Sequence, residues 1–230
     1  MQTDLTAAFG RDGFVTVPDV LGTEECVAAL AEVQGWSGNG PGSRHLLSLP
    51  WCRQLAAKLR KAGDLAALIP ESHVAVQCTY FEKSRDTNWL VALHQDLGIA
   101  VRERVEHPAL TGWSVKEEMH FVQPPLQVLE QLVAVRLHLD DCGADDGPLR
   151  VVPGSHDMGV MDGVRAAEVR NERGEVSCPV AVGAALVMRP LLLHASSKAT
   201  GSSRRRVLHF LFGPAHLPYG LDWAATTGWV

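Results

Sequence analysis

The sequence lacks the features that would assign it to several common classes. It has no pair of cysteines spaced as CxxC, and its five cysteines, Cys26, Cys52, Cys78, Cys142 and Cys178, are odd in number and scattered. That excludes the zinc patterns built on closely paired cysteines and argues against a disulfide framework, so a reducing, cytoplasmic setting is expected. The opening MQTDLTAAFGRDGF has no basic region leading into an apolar one, so no signal peptide is expected. No apolar run reaches the roughly 20 residues of a membrane span. The longest candidate, AVGAALVMRPLLLHA, carries Arg189, Pro190 and His194. Positive charge is not in excess either. The formal net charge is -5, which removes the footprint of a nucleic-acid or acidic-membrane binder and leaves a small molecule as the expected partner. Internal repeats, low-complexity tracts and a clean linker are also missing.

What is present fits one globular domain over residues 1–230. The 230 residues are 46% hydrophobic and 20% charged, the balance of a chain that buries a sizeable core. The first part, to about residue 70, reads as helical: over 3–10, over 22–34 with Thr23 as cap ahead of Glu24 and Glu25, and over 50–68. The β-rich GFVTVPDVL separates the first two, and 35–43 reads as a loop. From about 71 to 213 the texture changes. VAVQCTYFE, QLVAVRLHLDD, LRVVPGSH, PVAVGAALVMRP, LLLHASS and RRRVLHFLF are short strand-like runs punctuated by Gly, Pro and Asp, the spacing of a sandwich or jelly roll. Residues 101–130 read as a long mixed connection, and the stretch up to about 175 as polar.

The chemistry concentrates at a few positions. His94 and Asp96 are two apart in a strand-like run, so both project from one face, as two neighbouring ligands of one metal must. His194 ends the apolar run PLLLHASS. Two histidines and one carboxylate on one side of an ion, with positions left open, form the facial triad of non-haem Fe(II) oxygenases. Arg205 follows His194 by 11 residues. A dicarboxylate chelating the metal at one end needs a partner for its far carboxylate, and a guanidinium can bind it bidentately. Ser196 can donate a hydroxyl to the same group. Strand parity alone does not choose between Arg205 and the face shared by Arg204 and Arg206.

In the order NWLVALHQD, VRLHLDDCGADDGPLRVVPGSH, MRPLLLHASS and RRRVLHF, with RDGFVTVPDVL near the start, the chain resembles the phytanoyl-CoA dioxygenase family from about residue 9 to 213. The resemblance implies a mainly β fold with flanking helices, a double-stranded β-helix of the cupin-like jelly-roll kind. It implies Fe(II) held by His94, Asp96 and His194, with 2-oxoglutarate and O2 as co-substrates. It makes Arg205 and Ser196 the anchors of the distal carboxylate. It places Gln77 at the metal-binding end of the co-substrate and Trp113 on its pocket wall. Relatives that halogenate have a small residue in place of Asp96, so the resemblance implies hydroxylation or a related oxidation. A non-catalytic jelly-roll module that binds a metal or ligand, and a zinc hydrolase on the same three ligands, are the competing readings.

Other residues carry weaker signals. Arg136 and His138 share a strand face and either line the substrate pocket or form a satisfied polar pair. Lys116, His120 and Gln123, in the connection WSVKEEMHFVQPP, are candidate substrate contacts. His156 reads as structural, and Trp36, Trp51, Trp89, Trp223 and Trp229 as packing residues.

Overall fold

The computed structural model describes residues 2–36, 42–201 and 203–224. The chain opens with α1 (Gln2–Asp12), β1 (Phe14–Val17), α2 (Thr23–Trp36), β2 (Gly42–Ser43) and α3 (Pro50–Leu59). The strands β3 (His73–Lys83), β4 (Val91–His94), β5 (Ile99–Val101), β6 (Thr111–Lys116) and β7 (Met119–Gln123) follow, then the short α4 (Leu126–Leu129) and β8 (Val133–His138). The last part holds β9 (Leu149–Val151), α5 (Gly163–Arg173), β10 (Val176–Cys178), β11 (Ala185–Met188), β12 (His194–Ser196) and β13 (Arg205–Pro214).

The strands form a jelly roll. A six-stranded sheet runs β1-β11-β8-β13-β3-β2, a four-stranded sheet runs β10-β9-β12-β4, and a smaller sheet runs β5-β7-β6. Strand alternation gives the large sheet two different faces. Val133, Val135 and Leu137 of β8 and Leu208, Phe210 and Phe212 of β13 pack with Phe9, Val33 and Leu59 from the helices. On the reverse face, Ala134, Leu186, Met188 and Leu211 meet Leu149, Val151 and Cys178 of the small sheet. Arg136, His209 and Arg205 share that inner face and line a cavity between the sheets.

Two expectations need correction. The helix expected over 50–68 stops at Leu59, and a separate 3-10 turn covers Gly63–Ala67; Gly63 opens that turn at φ +33, a conformation that favours glycine. The connection expected over 101–130 contains a hairpin: β6 and β7 pair around a turn at Glu117 and Glu118, both at positive φ, and β7 also pairs with β5. Most of β6 is exposed, so it has no alternating apolar face to reveal it. The polar stretch before 175 contains α5, capped by the Asp162 carboxylate, which accepts from the Arg165 amide at 2.8 Å.

The helix expected over 3–10 lies within α1, and that expected over 22–34 is α2, which begins at Thr23. Of the loop expected at 35–43, residues 37–41 lie outside the described residues, as does Trp229. Trp223 is core, at 2% exposure. All five cysteines are buried and free. Among the described residues no helix is long and apolar enough to cross a membrane.

Phe210 is fully buried between helices and sheet. Phe210→Ala is expected to lower unfolding free energy by about 3–5 kcal/mol in denaturant titration. A loss below about 1 kcal/mol would show that this face contributes little to stability.

Candidate metal centre

The register between β12 and β4 sets His194 directly opposite His94. Their rings lie 4.2 Å apart, centroid to centroid. Asp96 sits just past the end of β4, where its amide donates to the Pro190 carbonyl at 2.9 Å and ties it to the chain leading into β12. His94 Nε2 lies 3.5 Å from Asp96 Oδ1 and His194 Nε2 lies 3.7 Å from Asp96 Oδ2. One ligand atom from each of the three residues falls within 4.8 Å of the others.

The local hydrogen bonds orient both imidazoles. His94 Nδ1 donates to the Ala92 carbonyl at 2.8 Å, and His194 Nδ1 donates to the Leu192 carbonyl at 2.9 Å. A carbonyl only accepts, so each neutral ring keeps its proton on Nδ1 and presents a bare Nε2, the state that ligates a metal. Burial pushes Asp96 toward the neutral acid, but His194, His94 and His209 outweigh it and hold the carboxyl below its usual range. Burial pushes His194 down, toward the neutral ring. The hydrogen bond to Asp96 pushes His94 up. Two bare nitrogens around one carboxylate suit a divalent cation.

Gln95, between the two ligands, is buried and points the other way. Its Nε2 donates to the Gly159 carbonyl at 2.8 Å and the Leu191 carbonyl at 2.7 Å, and its Oε1 accepts from the Met161 amide at 2.9 Å. This side chain fixes the strand carrying His94 against the segment that delivers His194.

A cavity of about 390 Å³ runs from this cluster between the sheets, a volume ordinary for a small-molecule site. Arg205, 4% exposed, and Ser196, 1% exposed, line it. The three consecutive arginines have different fates. Arg204 pairs with Glu82, with Nε to Oε1 at 3.0 Å, and Arg206 pairs with Asp140 at 2.6 Å. Arg205 donates to the Gly147 carbonyl, and its buried Nε has no partner. Ser196 Oγ donates to the same carbonyl at 3.0 Å. Gln77 also lines the cavity; its amide donates to Thr79 Oγ1 at 3.0 Å while its buried Oε1 is unpartnered.

The profile of the phytanoyl-CoA dioxygenase family matches residues 9–207. The chain belongs to this family. The fold agrees with solved structures, each below 20% identity. The nonhaem α-ketoglutarate-dependent epimerase SnoN from nogalamycin biosynthesis is 19% identical, with a TM-score of 0.70 over 98% of this chain and 88% of that one. The carbocyclase SnoK from the same biosynthesis is 17% identical, with a TM-score of 0.68 over 94% and 85%. HygX from Streptomyces hygroscopicus, solved with nickel, 2-oxoglutarate and hygromycin B, is 18% identical, with a TM-score of 0.63 over 93% and 88%. No curated protein matches the chain by sequence. As a member of the phytanoyl-CoA dioxygenase family the chain is an Fe(II)- and 2-oxoglutarate-dependent enzyme.

For this family member the structure brings His94, Asp96, His194, Arg205, Ser196, Gln77, Arg136 and Lys116 to one cavity, while Trp113, His120, Gln123 and His138 are not among its lining residues. Trp113 lies on β6 beneath the Arg104 guanidinium instead. The tryptophan on the wall is Trp89, expected as a packing residue. Arg136 is buried, donates to His209 Nδ1 at 3.1 Å and lies over the Phe81 ring. Burial pushes His209 and His138 down to about 3, so both rings are neutral near pH 7. His156 is not among the cavity's lining residues; its Nε2 donates to the Gly10 carbonyl at 3.2 Å. Lys83 and Arg44 carry charge at or beside the cavity and were not singled out by sequence reasoning. Lys83 could have been found by parity, since it lies on the same strand face as Gln77.

Gln95→Ala is expected to weaken Mn(II) affinity by about 10–100-fold through loss of ligand positioning. Isothermal titration with Mn(II) checks it, and unchanged affinity would show that Gln95 is dispensable to the cluster.

Proposed function

We propose that this chain hydroxylates a small molecule using Fe(II), 2-oxoglutarate and O2. The observation that supports the reading best is one cavity with two chemically different regions: a His-Asp-His cluster and a buried guanidinium that lacks an acidic partner among the described residues. In this reading His94, Asp96 and His194 hold Fe(II). Arg205 and Ser196 bind the distal carboxylate of 2-oxoglutarate, and Gln77 contacts its metal-binding end. Bound together, these groups supply oxidising chemistry in which 2-oxoglutarate leaves as succinate and CO2.

The chain's own contribution is orientation and exclusion of water. Neutral imidazoles and one carboxylate leave a divalent ion with net positive charge, which favours an anionic chelator in the open positions. Arg205 fixes the chelator's far end, so its near end meets the ion in one pose. Phe81, Phe121 and Trp89 give the remaining wall apolar surface against which a substrate can lie, and Arg136 and Lys116 add polar contacts.

Asp96 supports hydroxylation, because a carboxylate in that position occupies the place a halide would need. SnoN and SnoK are an epimerase and a carbocyclase, so product mass is the deciding measurement. Hydroxylation adds one oxygen atom from O2; epimerisation leaves the mass unchanged.

Purified protein is expected to convert 2-oxoglutarate to succinate only with Fe(II) and O2. His194→Ala should abolish this activity, and Arg205→Met should reduce it on the order of 100-fold at low 2-oxoglutarate. Absence of succinate under all conditions would leave a binding module, and hydrolysis supported by zinc without O2 would favour the hydrolase.

A further inference from the structure

Lys83 ends β3 directly opposite Arg205 of β13. Like charges facing each other across strands destabilise a sheet, and these two are 1% and 4% exposed. Buried charges are ordinarily paired. Here the hydrogen-bonding oxygens are neutral: Lys83 Nζ donates to Ser196 Oγ at 2.6 Å and to the Ser197 carbonyl at 2.6 Å, and Arg205 donates to the Gly147 carbonyl. Neither side chain forms an ion pair among the described residues. A third buried cation, Arg136, stands on the same inner face and, among the described residues, hydrogen-bonds a neutral histidine.

We propose that Lys83 is a positioning residue for the distal carboxylate of the co-substrate, acting through Ser196 beside Arg205. The proposal rests on the assignment of 2-oxoglutarate to this cavity. The geometry gives the reason. An ammonium donates only, so the bond from Nζ occupies a lone pair of Ser196 Oγ. The hydroxyl proton must then be given to another acceptor, and Ser196 aims it at the Gly147 carbonyl, the oxygen that Arg205 also addresses. Lys83 thereby fixes the serine as a donor beside the guanidinium. Trp89 borders both the cavity and the ammonium, with Nζ 5.6 Å from its ring centroid. Burial, then Arg205 and Arg136, push Lys83 down to about 8, and a nearby anion would raise it again.

The test uses full-length protein loaded with Mn(II) and two ligands, 2-oxoglutarate and 2-oxopentanoate. The second has the same chelating end and no distal carboxylate. Wild type is expected to prefer 2-oxoglutarate. Lys83→Met should raise the 2-oxoglutarate Kd by about tenfold or more, leaving Mn(II) and 2-oxopentanoate binding unchanged. Because Lys83 acts through Ser196, the Lys83→Met/Ser196→Ala double variant should lose little more than the worse single variant. Lys83→Gln, smaller in its packing disturbance, should show the same selective loss. If either folded variant keeps wild-type 2-oxoglutarate affinity, or loses both ligands equally, the role of Lys83 is overturned while the co-substrate assignment stands. If wild type binds the two keto acids equally, there is no distal carboxylate site, and the co-substrate assignment fails as well.

Discussion

His194 faces His94 across an antiparallel pair of strands, and the rest of the molecule is arranged around keeping that register. β12 runs between β4 and β9 and is only three residues long, too short to hold its alignment by ladder hydrogen bonds alone. The flanking chain supplies what the ladder cannot. Pro190 and Leu191 accept bonds from the Asp96 amide and the Gln95 side chain, and the buried Ser155 hydroxyl accepts from the Leu193 amide at 2.9 Å while donating to Val152 at 2.7 Å. A slip of one residue would turn the imidazole of His194 to the opposite face. The pairing is irregular between His194 and Ser196, yet both side chains reach the same cavity.

Charge is the second constraint. The inner face of the large sheet carries Lys83, Arg136 and Arg205, with His138 and His209 held neutral by burial and by those cations. Among the described residues, Asp96 is the one acidic residue lining the cavity. Such an arrangement is unfavourable for an empty core and favourable for one that receives anions. The outer arginines show the contrast: Arg204 and Arg206 flank Arg205 in sequence, and each has its own carboxylate.

Much of the site was legible because its signals are short-range in sequence. His94 and Asp96 are two residues apart, Ser196 follows His194 by two, and Arg205 lies on the next strand. The jelly roll was legible from short strands separated by turn residues. What escaped has physical reasons. The β6–β7 hairpin is mostly solvated on β6, so it lacks the apolar alternation that marks a half-buried strand. α5 buries only Ala166 and Val169, too little for a visible apolar stripe. Lys83 belongs to a strand whose recognisable run, VAVQCTYFE, ends one residue earlier, and a lysine at a strand end ordinarily points to water. Trp113 and Trp89 are equally plausible wall residues by type; only the course of the chain decides between them.

The Gly147 carbonyl has a consequence for discrimination among ligands. Its glycine sits at φ +63 in a turn where an added Cβ would press on the Ser197 carbonyl, so the oxygen is held in place by a conformation that other residues rarely adopt. It already receives Ser196 and Arg205. A molecule entering at that end therefore competes with an incumbent acceptor. An uncharged amide or hydroxyl oxygen offers the two donors little more than they have, whereas a carboxylate offers a full negative charge. In the proposed reading the backbone sets a threshold that an entering group must exceed, and it filters by ionisation before shape is considered.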